Sequence, residues 1–264
     1  MKNPNFLKTI RDIILKGKFE DNDRELELAL YHLERSKRAD DEYRRLVKGL
    51  KKGIPVSRII GYSLVCGIPI RINEDVLDPG PETVTLVKEA IKYIKLEYPS
   101  SALDLCCGSG AAAIAIAKIC KIHVTAIDIS EPALKVARVN TLTNNVRIEF
   151  LQGDLFQPVE GRKFDIIVSN PPYVKTAKIA SLPRFIRNFA PKIAIDGGVD
   201  GLYFHRKILS QAGKFLNNLG LLFLECEDGQ DEDVIELCRL NNWDVAEKYL
   251  NRYGKIRGFK LFKK

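Results

Sequence analysis

Four short apolar runs alternate with stretches of helical periodicity in the middle of the chain. They are SALDLCC (101–107), HVTAID (123–128), RIEFLQGD (147–154) and FDIIVSN (164–170). No two are joined by a tight turn, so neighbours cannot form hairpins; a parallel pair instead needs a crossover of about a dozen residues. AAAIAIAKIC (111–120) and PALKVARVNT (132–141) supply such crossovers. The alternation therefore demands an open, mostly parallel, doubly wound α/β sheet with helices on both faces. A helix from Glu82 to about Leu96 precedes it, and a helix near 200–217, the strand GLLFLEC (220–226) and a helix at 230–241 follow. DVAEKYL and IRGFKLF, the last two runs, have no helix between them. They must pair antiparallel at the edge of the sheet. Residues 171–198, rich in Pro and Gly, read as a long loop, and such loops are more often functional than idle.

The first 60 residues follow a different rule. Leu7, Ile10, Ile14 and Leu15, then Leu26, Leu28, Leu30 and Leu33, then Leu46, Val47 and Leu50 keep helical spacing among charged residues. They predict short amphipathic helices with one apolar stripe each. SLVCGIPIRIN changes the period and predicts a hairpin over about 63–72 with Gly67 at its turn. The expected division is a helical docking domain over 1–62, a hairpin and linker over 63–78, and a catalytic domain over 79–264. Of the net charge of +8, residues 1–72 carry +6. That surplus suits an acidic or nucleic-acid partner, or a solvated helical face. No run of about eighteen apolar residues occurs, so no membrane span is expected. The six cysteines lack metal-site spacing, no metal is expected, and a cytoplasmic monomer with reduced thiols is the expectation.

Chemistry concentrates at strand ends, where open α/β sheets bind ligands. LDLCCGSGAAAIA (103–115) runs from strand through a glycine-bearing turn into a helix, and Cys106, Cys107, Gly108, Ser109 and Gly110 form the turn. Gly108 and Gly110 allow a ligand to approach the backbone. By itself this turn suits NAD, a flavin or S-adenosylmethionine equally. Asp128, ending the next strand, suits the two hydroxyls of a ribose, because a carboxylate accepts both hydrogen bonds. The neighbouring Ser130 can cap the following helix and leave Asp128 to the ligand. Asp154 stands where an adenine amino group would be read, with Leu155 and Phe156 to cover the ring; alternatively it only forms a turn. Asp104 would repel a pyrophosphate and attract a sulfonium and an α-amino group. S-adenosylmethionine is thus the expected cofactor, with S-adenosylhomocysteine as its product. The expected architecture is that of a class I S-adenosylmethionine-dependent methyltransferase.

Asn170-Pro171-Pro172-Tyr173 ends the fourth run. Two prolines stop a strand, since neither donates to the ladder. An amino group on an sp² carbon is a poor nucleophile, because its lone pair is delocalised. The Asn170 side-chain oxygen and the Pro171 carbonyl can each take one of its N–H groups and orient the nitrogen toward a methyl donor. Pro172 stiffens the turn, and Tyr173 can stack its ring on a planar acceptor.

Taken together, these stretches resemble the HemK-type protein-(glutamine-N5) methyltransferases. The resemblance spans nearly the whole chain and rests on IPVSRIIGYSLVCGIPIRI, VLDPGPET, LDLCCGSG, VTAIDIS, FLQGDLF, FDIIVSNPPYV and IDGGVDGLYFHRKIL. It implies methylation of the Gly-Gly-Gln glutamine of a peptide chain release factor. It also implies a cofactor lined by Cys106 to Gly110, Asp128 and Leu155, and an acceptor amide held by Asn170 through Tyr173. Four positions depart from the family pattern: Cys106 stands at a usual glycine, Cys107 at a usual threonine or valine, Gly80 at a usual arginine, and Ala190 at a usual glutamate. Read without the resemblance, the residues leave other acceptors open. An exocyclic amino group of adenine or guanine in nucleic acid fits the same geometry, as does a small-molecule amide. A fold that binds the cofactor without turnover is the remaining alternative.

Overall fold

The computed structural model describes residues 4–17, 19, 21–251 and 253–264. Four helices come first: α1 (Pro4–Lys16), α2 (Asn22–Arg35), α3 (Ala39–Leu50) and α4 (Val56–Ile60). Asp21 caps α2 by accepting from the Arg24 N–H at 3.0 Å. Their apolar stripes meet in a core of their own, built on Ile10, Ile14, Leu28, Ala29, Leu46, Leu50, Val56 and Ile59. The expected stripe is corrected at Leu15, which is exposed, while Ile14 beside it takes the buried place. β1 (Tyr62–Val65) and β2 (Ile68–Arg71) form the hairpin. Its turn is Cys66-Gly67, both with positive φ, the conformation that a two-residue hairpin turn needs.

The large sheet has the order β5-β4-β3-β6-β7-β9-β8. Its strands are β3 (Ser101–Leu105), β4 (His123–Asp128), β5 (Glu149–Gln152), β6 (Phe164–Ser169), β7 (Leu216–Glu225), β8 (Trp243–Leu250) and β9 (Ile256–Lys263). The first five run parallel; β9 is antiparallel to both β7 and β8, as the missing crossover requires. The helices between them are α5 (Pro81–Glu97), α6 (Ala111–Cys120), α7 (Glu131–Asn144), α9 (Tyr203–Gln211) and α10 (Asp231–Leu240). One apolar layer, with Leu86, Ile114 and Phe223, packs on one face of the sheet, and a second, with Leu105, Leu209 and Phe259, on the other. Burial on both faces explains the near-continuous apolar character of β3 and β6.

Two expectations are corrected. The segment after β6 is not an irregular loop: it holds a 3₁₀ turn (Thr176–Ser181), the short helix α8 (Arg184–Phe189) and a second turn (Lys192–Ala194). Leu182, Phe185 and Ile186 give it an apolar inner side, which its prolines hid from a reading by composition. The helix expected over 200–217 ends at Gln211, because a 3₁₀ turn (Ala212–Lys214) closes it and β7 begins at Leu216.

Candidate active site

At the carboxyl ends of β3, β4, β5 and β6 lie two adjoining cavities of about 180 and 140 Å³. The first is built from βα turns. Cys106 enters the β3–α6 turn with φ +58°, so a non-glycine residue holds a left-handed conformation where the family pattern has glycine. Gly108 (φ +51°) turns an open side to the cavity: a Cβ there would meet nothing within 4 Å. Gly110 (φ +75°) serves packing instead, since a Cβ there would come within 3.1 Å of the Ala137 methyl on α7. The fully buried Asn140 locks the turn from behind. It donates to the carbonyls of Ser109 (2.9 Å) and Arg71 (3.0 Å) and accepts from the Arg71 N–H (2.7 Å).

Of the four aspartates of this wall, the three singled out from the sequence differ in what holds them. Asp128 Oδ2 accepts from the Gly108 N–H at 2.8 Å and Oδ1 from the Ser130 N–H at 2.9 Å. Ser130 caps α7 as expected, bonding the Ala133 N–H, but Asp128 is not left idle by it. Its backbone bonds aim the carboxylate into the cavity, and each oxygen keeps a lone pair for a ligand hydroxyl. Asp104 is more committed than expected. Its Oδ2 accepts from the Ala113 N–H at 3.0 Å, inside the first turn of α6, and burial pushes its carboxyl up to about 7. It supports the turn more than it presents a full charge. Asp154 is paired with Lys207 (2.5 Å) on α9 while still lining the cavity. Leu155 lines the same wall, but Phe156 is corrected: it turns into the core and stacks on Phe215. Ile129 and Phe204 are the apolar walls that sequence reasoning missed.

The second cavity is bounded by Phe19, Arg24, Pro55 and Arg58 of the N-terminal helices and by Leu182, Phe185 and Ile186 of the α8 segment. The strand-end residues divide between the two. Pro172 lines the first cavity, Pro171 and Tyr173 the second, and Asn170 both; Thr83, on α5, also borders both. Asn170 Nδ2 donates to Thr83 Oγ1 at 2.8 Å, which leaves the amide oxygen on the other end. Thr83 is hydrogen-bonded in turn to the buried Glu225 (3.3 Å), and Glu225 accepts from the Tyr173 hydroxyl (3.1 Å). Arg257 donates to that hydroxyl (3.3 Å) and faces Glu82 at 4.0 Å. Tyr173 is therefore held by its hydroxyl, whereas the sequence reading gives a role only to its ring, as a stacking surface for the acceptor. Burial and the nearby Glu82 push Glu225 up to about 8.

Tyr173 is also fixed by its backbone. Gln230 donates to its carbonyl at 3.0 Å, and Val174 pairs with Asp196 in a short parallel bridge. The glycines of IDGGVDG explain themselves here. A Cβ at Gly197 would sit 2.7 Å from the Tyr173 Cα, and one at Gly201 would overlap the Tyr173 carbonyl. Thr83 closes the stretch VLDPGPET, which gives it no role, and Glu225, Gln230 and Arg257 had no sequence signal beyond a carboxylate closing an apolar strand, GLLFLEC.

The comparisons with known proteins converge on one family. A methyltransferase small domain model matches residues 75–199. A release factor glutamine methyltransferase of Thermodesulfovibrio yellowstonii is 40% identical over 206 residues, covering 76% of this chain and 74% of that protein. The chain belongs to the release factor glutamine methyltransferase family. A relative of the same description from Gloeobacter violaceus is 34% identical, with 79% and 78% of the two chains covered. A solved ribosomal protein L11 methylase from Lactobacillus delbrueckii subsp. bulgaricus shares the fold, with a TM-score of 0.52 at 23% identity over 71% of this chain and 83% of that one. The chain is accordingly a methyltransferase with the doubly wound sheet of the class I enzymes. Among the described residues no helix is long and apolar enough to cross a membrane.

Proposed function

We propose that this enzyme methylates the side-chain amide nitrogen of a glutamine in a peptide chain release factor, within its Gly-Gly-Gln motif. The observation that carries the reading is the position of Asn170 in the shared wall of the two cavities. One cavity suits the cofactor. Among the described residues its lining includes Asp75, Asp104, Asp128 and Asp154 and no Lys, Arg or His, a set of acceptors that favours a cation and a ribose over a pyrophosphate. The other opens between the N-terminal helices and α8, where an extended loop of a protein can enter.

When bound, S-adenosylmethionine would supply an electrophilic sulfonium methyl: the acceptor nitrogen would gain the methyl, the sulfur would be left as a thioether, and the nitrogen would lose one N–H proton to solvent. Asp128 would hold the ribose hydroxyls, with Asp154 and Leu155 at the adenine and the turn from Cys106 through Ser109 and Gly110 along the remainder. Asn170 Oδ1 and the Pro171 carbonyl would accept the two N–H groups of the glutamine amide. That draws electron density onto the nitrogen and fixes its approach before transfer. The ring of Tyr173 would form the floor under the amide plane.

The N-terminal helices are assigned to docking. Residues 1–62 form the docking unit, 63–78 the connection, and 79–264 the catalytic unit. Support comes from a latch at the second cavity. Arg24 of α2 bonds Asp78 (3.1 Å) and the Pro79 carbonyl, and Ser57 of α4 bonds the other oxygen of Asp78. Asp78 lies just before α5, which carries Thr83, so binding energy gathered on the helices is transmitted to the acceptor site. Full-length release factor should therefore be methylated far faster than a short Gly-Gly-Gln peptide. Equal kcat/KM on the two would remove the docking role; faster methylation of RNA or DNA would remove the glutamine.

A further inference from the structure

We propose that Thr83 and Glu225 are positioning residues that decide which end of the Asn170 amide faces the acceptor nitrogen, an inference resting on the acceptor-amide reading above. The two ends of a carboxamide, C=O and NH₂, have nearly the same shape, so packing cannot choose between them; hydrogen-bond polarity must. Only one orientation is productive. With the oxygen toward the acceptor, Asn170 receives an N–H; with the nitrogen there, two donors would face each other.

The polarity is set by a chain of bonds leading away from the site. Asn170 Nδ2 lies 2.8 Å from Thr83 Oγ1, and Thr83 Oγ1 lies 3.3 Å from Glu225 Oε2. A threonine hydroxyl has one proton, and an ionised carboxylate only accepts. Once ionised, Glu225 takes that proton, so Thr83 can then only accept from Asn170, and the amide oxygen is directed away from α5. The other carboxylate oxygen is occupied by the Tyr173 hydroxyl at 3.1 Å, which itself receives Arg257 at 3.3 Å. Every donor in the network thus points at Glu225, which is 1% exposed, with Thr83 at 8%. Water has little access to compete for either group. The same carboxylate orients both Asn170 and Tyr173, although it lies on β7 and neither residue is near it in sequence.

The test uses the full-length chain, labelled S-adenosylmethionine and full-length release factor under single-turnover conditions. Thr83→Val keeps the shape and removes the acceptor; Thr83→Ser restores the hydroxyl. Thr83→Val should lower the transfer rate about 10-fold or more, with KM for the factor and cofactor Kd each within about 3-fold. Thr83→Ser should return the rate to within about 3-fold of wild type. In an Asn170→Ala background Thr83→Val should have no further effect, since the amide it orients is gone. A serine variant as slow as the valine variant, or the same fractional loss with and without Asn170, would overturn the proposal. Should the wild-type enzyme label nucleic acid and not the factor, the proposed acceptor fails by itself. The three variants are then compared on that acceptor, whose amino group also carries two N–H groups.

Discussion

The two cavities share Asn170 and Thr83 but are held together by different means. The cavity proposed for the cofactor is walled by backbone turns: Gly108, Ser130 and Ala113 donate their N–H groups to Asp128 and Asp104 within a single βα unit or its neighbour. The cavity proposed for the acceptor is walled by side chains brought from residues 19 to 257, and its geometry rests on the buried network of Thr83, Glu225, Tyr173 and Arg257. A turn made by backbone bonds tolerates side-chain change and responds mainly through ligand affinity. A site made by side-chain polarity fails in rate when one member is lost. Substitutions should therefore sort by cavity.

The largest effect is expected where the cavities join. Asn170→Ala should reduce single-turnover methyl transfer by roughly 10²–10³, as for loss of a single positioned oxyanion-hole group, while titration calorimetry finds cofactor affinity within a few-fold. A wild-type rate per folded molecule would mean that Asn170 only ends a strand. In the cofactor cavity, Asp128→Ala should weaken S-adenosylmethionine by about 1–3 kcal/mol with a smaller loss of kcat at saturation. It should also lower the melting temperature, because the Gly108 and Ser130 N–H groups lose their acceptor. Unchanged affinity would reassign the ribose.

A pH profile sharpens the contrast. Glu225 faces Glu82, Arg257, Tyr173 and Thr83, and burial together with Glu82 pushes its carboxyl up to about 8. Its proton would reverse the bond to Thr83, so the transfer rate should rise with pH through that value and flatten in Glu225→Gln. Stability runs the other way. A carboxyl raised on folding favours the folded state most below its unfolded value, and that contribution is lost as pH rises through the folded one. Rate should thus increase over the range in which melting temperature falls; a parallel rise of both would contradict the assignment. The smallest effects separate two glycines of one turn. Both alanine variants carry left-handed strain of about 1–2 kcal/mol. Gly108→Ala, facing the cavity, should also lose cofactor affinity, whereas Gly110→Ala, against Ala137, should lose stability alone.

The alternation of runs and crossovers led directly to the sheet, and periodicity marked α1, α2 and α3, because each depends on neighbours within a few residues; it did not mark the short α4. Strand ends likewise marked Cys106 to Gly110, Asp128 and Asn170. What stayed hidden was decided across the chain. Phe156 reads as a ring cover but finds Phe215 59 residues later. Asp104 reads as a free charge until α6 folds back over it. Thr83 and Glu225 are 142 residues apart, and nothing local marks them as partners.

The most direct measurement is mass spectrometry of purified full-length release factor after incubation with the enzyme and S-adenosylmethionine. The account predicts a mass increase of one methylene unit, fragment ions placing it on the side-chain amide of the Gly-Gly-Gln glutamine, and its loss with Asn170→Ala. An unmodified factor alongside methylated nucleic acid, or methylation of the factor at any other residue, would contradict it.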